Sequence, residues 1–292
     1  MTDFVNELLE RCTFPSGPIT CAVSGGADSM TLLALATFGD NQVKAIHVDH
    51  GIRPDSEKEA DLVRITAERF NADFESVKLQ VEPGPNLEAR ARTARYEALP
   101  EDVLTGHTSD DQAETILLAL IRGSAWHGLS GMRPSVRKPI LNLRRSETED
   151  FCKKMEIEYF TDPSNIDPSF RRNRIRHEAL PLLNMIADRD LAPILSRQAD
   201  LIRTGADYIS EQAHGVDPTN CEALTSIHPA VAFEVIRNWI WNSRSDEHPP
   251  DLATIERVLD VARLESIATD IGGGWRVART NRVLRLEPPK EN

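Results

Sequence analysis

No run of about 18 apolar residues occurs in the 292-residue chain, so no membrane-spanning helix is expected. The N-terminus lacks the basic start and apolar core of a secretory peptide. Asp3 and Glu7 stand there instead, and the expected compartment is cytoplasmic. Cysteine is scarce and scattered: Cys12, Cys21, Cys152 and Cys221 include no C-x-x-C pair, which argues against a zinc site, an iron–sulfur cluster or a disulfide framework. Repeats and low-complexity tracts are also missing. So is any excess of positive charge, because a formal net charge of -12 works against whole-chain association with nucleic acid. Finally, neither a G-K-[ST] loop ending nor a G-x-G-x-x-G pattern is present, which removes the Walker and dinucleotide-binding loops from consideration.

What the chain does have is enough apolar material, 40% of residues, for one good core and a second, smaller one. Ile19 to Val23 reads as a buried strand that enters a glycine loop and then the apolar stretch Met30 to Ala36. Val43 to Val48 is a second strand. Ser56 and Glu59 form a capping box for a helix running to about Phe70, with Ala60, Val63, Ala67 and Phe70 on one face. A third strand is expected from Glu75 to Val81, a helix from Leu87 to about Leu99 capped by Asn86, and a fourth strand from Asp102 to Thr105. Ser109 and Gln112 then read as a capping box for a helix burying Ala113, Ile116, Leu117 and Leu120. Glu156 to Phe160 reads as a late strand of the same sheet.

This alternation predicts an α/β fold, a doubly wound parallel sheet with functional loops at the strand carboxyl ends. Beyond about Ile186 the pattern turns helical (Asp190 to about His214, Pro229 to Trp241, Leu252 to Leu264). It closes with strands at Trp275 to Ala278 and Val283 to Leu286 around a Thr280-Asn281 turn. The expected division is residues 1–186 as a catalytic domain and 187–292 as a smaller, mainly helical C-terminal domain.

The chemistry is concentrated in Ser24-Gly25-Gly26-Ala27-Asp28-Ser29. Paired glycines let backbone N–H groups approach phosphate oxygens, and the following helix adds its positive end. Ser24 and Ser29 can donate further hydrogen bonds, while Asp28 fits beside a polyphosphate if it binds through Mg²⁺. Asp111 and Glu114, three apart, project from one face of a helix near its start; helix-dipole stabilisation and cation binding both remain open for them. His107 precedes that helix, within reach of the same cleft.

Two strips are strongly basic. Arg133, Arg137, Lys138, Arg144 and Arg145 occur without an intervening acid, and Arg171, Arg172, Arg174 and Arg176 follow later. Solvated surface and anion contact are both open for them. The same two readings stand for Arg90, Arg92 and Arg95. His47 and His50 are either structural loop residues or nucleotide contacts, and Arg53 meets either phosphate or Asp49. Trp126 and His127 are placed in a loop, where they offer a stacking platform for an unpaired base.

The glycine loop resembles the PP-loop of N-type ATP pyrophosphatases. The motifs His47-Val48-Asp49-His50-Gly51-Ile52-Arg53, Asn86 to Arg92 and Gly106 to Thr115 resemble successive motifs of tRNA(Ile)-lysidine synthetases. Arg122-Gly123-Ser124, Gly128-Leu129, Asp162-Pro163-Ser164-Asn165 and Arg172-Asn173-Arg174-Ile175-Arg176 continue the match in order, so it covers residues 18–186. The tail is similar in length and character to that family's first C-terminal domain; longer members carry one more.

The resemblance implies that ATP adenylates the C2 oxygen of the wobble cytidine of an isoleucine tRNA with a CAU anticodon, and that the ε-amine of L-lysine then displaces AMP. It implies ATP as co-substrate and Mg²⁺ as cofactor. Ser24 to Ser29 and His47 would hold ATP. Asp28, Ser29, His107 and Asp111 would serve catalysis, Asp111, Glu114 and Arg172 would bind lysine, and Arg90, Arg92, Arg172 and Arg176 would contact tRNA or phosphate. A homodimer is an open expectation. The alternatives are tRNA thiolation, which would need reactive cysteines, commonly paired, and small-molecule amidation by another enzyme with the same loop.

Overall fold

Both apolar runs near the N-terminus form strands in the computed structural model, which describes residues 2–39, 41–49, 56–79, 90, 94, 97–244 and 249–289. After helix α1 (Thr2–Leu9) come β1 (Ile19–Ala22), α2 (Ala27–Ala36), β2 (Val43–Asp49), α3 (Ser56–Arg69), β3 (Asp73–Lys78) and β4 (Leu104–Thr105). The four strands are parallel in the order β3-β2-β1-β4. Because side chains alternate along a strand, β2 feeds two cores. Val43 and Ala45 join the large cluster with Met30, Leu33 and Phe151, while Ile46 packs with Leu99 and Val103 on the other face. Apolar cover on both faces explains why β1 and β2 read as near-continuous hydrophobic runs.

Helix α4 (Ser109–Ile121) follows β4, then the short α5 (Trp126–Leu129) and α6 (Arg145–Lys154). A continuous helical run then starts as α7 (Arg171–Arg174), is wound as a π-helix at Ile175–Ala179, and ends as α8 (Leu180–Ala187).

The structure corrects the sequence reading at several points. Glu156 to Phe160 is not a strand: Glu156 takes a left-handed conformation (φ 52°) after α6, and Phe160 N–H makes a single bond to the Gly25 carbonyl in place of a ladder. The cap of α4 is Thr108, not Ser109. Asp111 reaches back to the Thr108 N–H at 2.9 Å, whereas Ser109 Oγ donates to the Leu143 carbonyl and Gln112 bonds the Met132 backbone. Leu120 continues the apolar stripe of α4 but is 60% exposed, because Ile175, Leu180 and Ala192 pack against Ala113 and Leu117, earlier in the helix. The expected Asn86-capped helix lies mostly outside the described residues, as do His50 to Arg53.

Contacts divide the chain into one unit of residues 1–118 and 131–197 and another of 119–130 and 198–292, where the sequence reading made a single cut after residue 186. The second unit has its own core. Within it, α10 (Cys221–Ser226), α11 (Pro229–Ser243) and α12 (Leu252–Ala262) pack with a three-stranded antiparallel sheet, β5 (Ala268–Asp270), β6 (Arg276–Thr280) and β7 (Val283–Glu287). The expected hairpin is therefore two strands of three, and its turn is Asn281-Arg282, both at positive φ. The long helix α9 (Ala192–Ala213) runs from the first group of residues into the second. Trp126 is not in a loop: it lies on α5 and meets Phe233 edge-on at 4.9 Å, so its ring is core material and not a free platform. Among the described residues, no helix is long and apolar enough to cross a membrane.

Candidate active site

The glycine loop bridges β1 and α2 at the carboxyl end of the sheet. Gly25 sits at φ 88°, a left-handed conformation that a side chain would strain. Ser29 Oγ donates to the Gly26 carbonyl at 2.9 Å and accepts from Ser24 N–H at 3.2 Å, which closes the loop upon itself. Gly106, after β4, lets the neighbouring loop approach closely: a Cβ there would lie 2.9 Å from the Asp28 backbone. His47 is buried at 2% exposure at the end of β2, with Nδ1 donating to the Val23 carbonyl at 2.8 Å. Burial lowers its pKa, so the ring is neutral and carries its proton on Nδ1. It braces the strand that leads into the loop.

Asp28 is where the loop meets the rest of the site. Its Oδ1 accepts from Thr148 Oγ1, and its Oδ2 is 3.6 Å from Arg145 Nε, an ion-pair distance and not a hydrogen bond. Burial pushes its carboxyl up to about 6, against the opposing pull of Thr148 and Arg145. One carboxylate oxygen with spare acceptor capacity, in a place where ionisation is costly, fits a divalent cation. Mg²⁺ commonly takes one or two carboxylates and completes its shell with substrate phosphates and water. Among the described residues, no group of three His, Cys, Asp or Glu forms a ready-made metal cage.

Arg145 also joins Asp28 to the acid pair. Its NH1 reaches Glu114 Oε1 and its NH2 reaches Asp111 Oδ1, each at 3.2 Å. Arg172 bonds Glu114 through Nε at 2.6 Å and Asp111 through NH2 at 3.1 Å. Arg176 bonds Glu114 through Nε at 2.7 Å and NH2 at 3.3 Å. Glu114 is fully buried. Burial opposes ionisation of Asp111, but Arg145, Arg172 and the Thr108 N–H outweigh it and its pKa falls below the usual range. Asp110, one residue earlier, holds Arg144 through both carboxylate oxygens at 2.8 and 2.9 Å and caps the Arg145 N–H at 2.8 Å, while Arg144 also pairs with Asp190. His107 Nδ1 lies 2.8 Å from Thr105 Oγ1, on the approach to α4.

Sequence reasoning therefore found the loop and both acids. It left Arg144 and Arg145 in a basic strip, and missed Thr148 and the pairing role of Asp110. The signal was present: five basic residues without an acid must find their counter-charges elsewhere in the fold. Arg172 and Arg176 lie on the acids. Arg90 is an exposed helical residue, and Arg92 falls outside the described residues.

A glycine loop between a parallel strand and a helix stands beside a carboxylate–guanidinium cluster at the carboxyl end of the sheet, and a family model described as a PP-loop domain matches residues 2–183, which makes the chain a PP-loop protein. A tRNA(Ile)-lysidine synthase of Mycobacterium bovis is 38% identical, over 75% of this chain and 73% of that protein. One from Solibacter usitatus is 33% identical, over 94% of this chain and 69% of its own length. The chain belongs to the tRNA(Ile)-lysidine synthase family of PP-loop proteins. Among solved structures, the U34-tRNA thiolase NcsA from Methanococcus maripaludis, described with its [4Fe-4S] cluster, shares the fold at a TM-score of 0.55 with 16% identity, over 69% of this chain and 79% of that one.

Proposed function

We propose that this chain uses ATP to join L-lysine to C2 of the wobble cytidine of an isoleucine tRNA with a CAU anticodon, forming lysidine and releasing AMP and pyrophosphate. One observation carries the geometric side of this reading: Asp28 of the loop and the acid pair Asp111/Glu114 meet on a single guanidinium, Arg145. The site for nucleotide activation and the site for a cationic acceptor are then one site.

The C2 oxygen is a poor leaving group. Attack of that oxygen on the α-phosphate forms a phosphate ester and expels pyrophosphate, and attack of the lysine amine at C2 then expels AMP; two easier steps replace one hard one. Ser24, Ser29 and the loop N–H groups hold the phosphates as charge builds on their oxygens. Asp28 is the residue that would hold Mg²⁺, which would supply charge neutralisation at those oxygens. Asp111 and Glu114 supply counter-charge for lysine. His107, beside α4, orients the reacting groups; the attacking amine must be neutral. Arg172 and Arg176 turn their remaining donors to phosphate.

The four cysteines tell against the thiolation alternative. All are free and none is paired, and burial raises the Cys12 and Cys21 thiols to about 12 and Cys152 to about 11.

Substrates of this kind place the protein in the cytoplasm. A homodimer is also part of the proposal, supported by Leu182, Met185 and Ile186, which expose an apolar strip on α8; light scattering of the wild type and a Met185→Glu variant tests it.

The central test incubates the protein with labelled ATP, lysine and the CAU tRNA and follows pyrophosphate release and lysine incorporation. Release that depends on tRNA, followed by lysine transfer, is expected. Release independent of tRNA would overturn the reading.

A further inference from the structure

The acid pair is already full. Glu114 accepts four N–H contacts, one from Arg145, one from Arg172 and two from Arg176. Asp111 also accepts four, from the Thr108 N–H and hydroxyl on Oδ2 and from Arg145 and Arg172 on Oδ1. A carboxylate offers about four lone-pair sites, so neither acid has room for an ammonium group. Charge leads to the same result. Asp28, Asp111 and Glu114 already balance the three guanidiniums, so an added ammonium would enter a cluster with no negative charge left over to hold it.

We propose that Arg172 is an internal occupant of the lysine ammonium subsite, and that lysine enters by displacing it. Exchange of one cation for another keeps the charge constant, and the freed guanidinium turns to an anion of the same reaction, a phosphate or the lysine carboxylate. This rests on the acid pair being the lysine subsite.

Arg172 is the member of the trio built to leave. Its side chain is 35% exposed, against 20% for Arg145 and 22% for Arg176. Arg145 is tied down further by its N–H to Asp110 and its ion pair with Asp28. Arg176 places both Nε and NH2 on the fully buried Glu114, whereas Arg172 divides the same two donors between Glu114 and Asp111 and so gives each acid a single contact. Arg172 sits on the four-residue α7, immediately before the π-wound segment, a local break of helical register of the kind often found at functional sites. The consequence is ordered loading: without an anion to receive Arg172, lysine must compete with a tethered guanidinium.

The test uses cadaverine, which has lysine's ammonium groups but no carboxylate, so that loss of a contact between Arg172 and the carboxylate cannot hide the effect. Binding is measured by calorimetry on the whole chain, with AMP as the anionic probe. Arg172→Gln should bind cadaverine about 10-fold more tightly than wild type. AMP should tighten cadaverine binding to wild type but not to Arg172→Gln, as linkage between the two sites requires. Equal or weaker binding to Arg172→Gln overturns the proposal, as does an AMP effect that survives the substitution. Glu114→Gln separates the two levels of inference. If it raises the lysine KM while Arg172→Gln leaves cadaverine binding unchanged, only the exchange fails; if it leaves the lysine KM unchanged, the subsite assignment itself fails. Melting curves of both variants, with far-UV spectra, confirm that folded protein is being compared.

Discussion

Among the described residues two helices carry a buried glutamate, and the two are satisfied in opposite ways. Glu114 in the first unit is ringed by three arginines, each reaching it with a long side chain that keeps part of its surface in solvent. Glu234 in the second unit, 1% exposed, is held mainly by short or rigid groups: His127 Nε2 at 2.8 Å, Asn238 Nδ2 at 3.0 Å, Ser210 Oγ at 3.1 Å and Trp126 Nε1 at 3.4 Å. Arg237 stands off at 3.9 Å. The second arrangement pins α5 to α9 and α11, and nothing in it is free to leave without unpacking Trp126 from Phe233. Under the proposed function a ring of long, partly solvated side chains can give way to a substrate cation; a ring of short, packed donors cannot. Equal burial thus hides a difference between a site and a structural knot.

The largest expected effect breaks that comparison on the activity side. Glu114→Ala leaves three guanidiniums facing two carboxylates, Asp28 and Asp111. It should lower kcat/KM for lysine by about 100-fold or more, roughly 2.7 kcal/mol of transition-state stabilisation. The tRNA-dependent release of pyrophosphate should fall less than tenfold. Equal loss of both half-reactions would remove the acid pair from lysine binding. Glu234→Ala should do the reverse. It leaves buried donors unpaired and should cost about 3 kcal/mol of unfolding free energy in a denaturant titration, with kcat nearly unchanged at low temperature. A loss of activity at unchanged stability would place Glu234 in the reaction.

The same contrast predicts a pH response of intermediate size. Burial opposes ionisation of Glu234, but His127 and Asn238 outweigh it and hold its pKa at about 2, against an ordinary 4.5. A depressed carboxyl stabilises the fold above its unfolded value and loses that contribution as pH falls through the folded one. Stability should therefore decline between about pH 4.5 and pH 2, by at most about 3 kcal/mol from this group. Glu234→Gln should flatten that part of the profile, and an unaltered slope would assign the acid sensitivity to other groups.

The comparison also shows what the sequence makes legible. Elements and loop chemistry were readable because their signals are local: apolar runs for β1 and β2, paired glycines for the loop, three-residue spacing for Asp111 and Glu114. The counter-charges were not. Arg145 and Glu114 are 31 residues apart, and Arg176 and Glu114 are 62 apart, so their pairing is a product of tertiary packing that no window contains. Trp126 misled for the same reason: after Arg122-Gly123 it looks exposed, yet Phe233, far along the chain, covers it. Glu156 to Phe160 has the composition of a strand, but its place beside Gly25 is fixed by one backbone bond that composition does not encode.

The smallest expected effect concerns the cysteines, and it sharpens the boundary with the thiolase that shares this fold. Cys21 is buried in the core, and Cys152 packs under the glycine loop with Sγ 3.4 Å from Thr31 Oγ1. Their thiols, raised to about 12 and about 11 by burial, are almost wholly protonated at pH 8, and the thiolate is the reactive form. Iodoacetamide at that pH should label the native chain far more slowly than the unfolded chain and leave lysine incorporation within about twofold of the untreated enzyme, because no step of the proposed reaction needs a sulfur nucleophile. Rapid inactivation that tRNA prevents would put a cysteine at the substrate and restore the thiolation alternative.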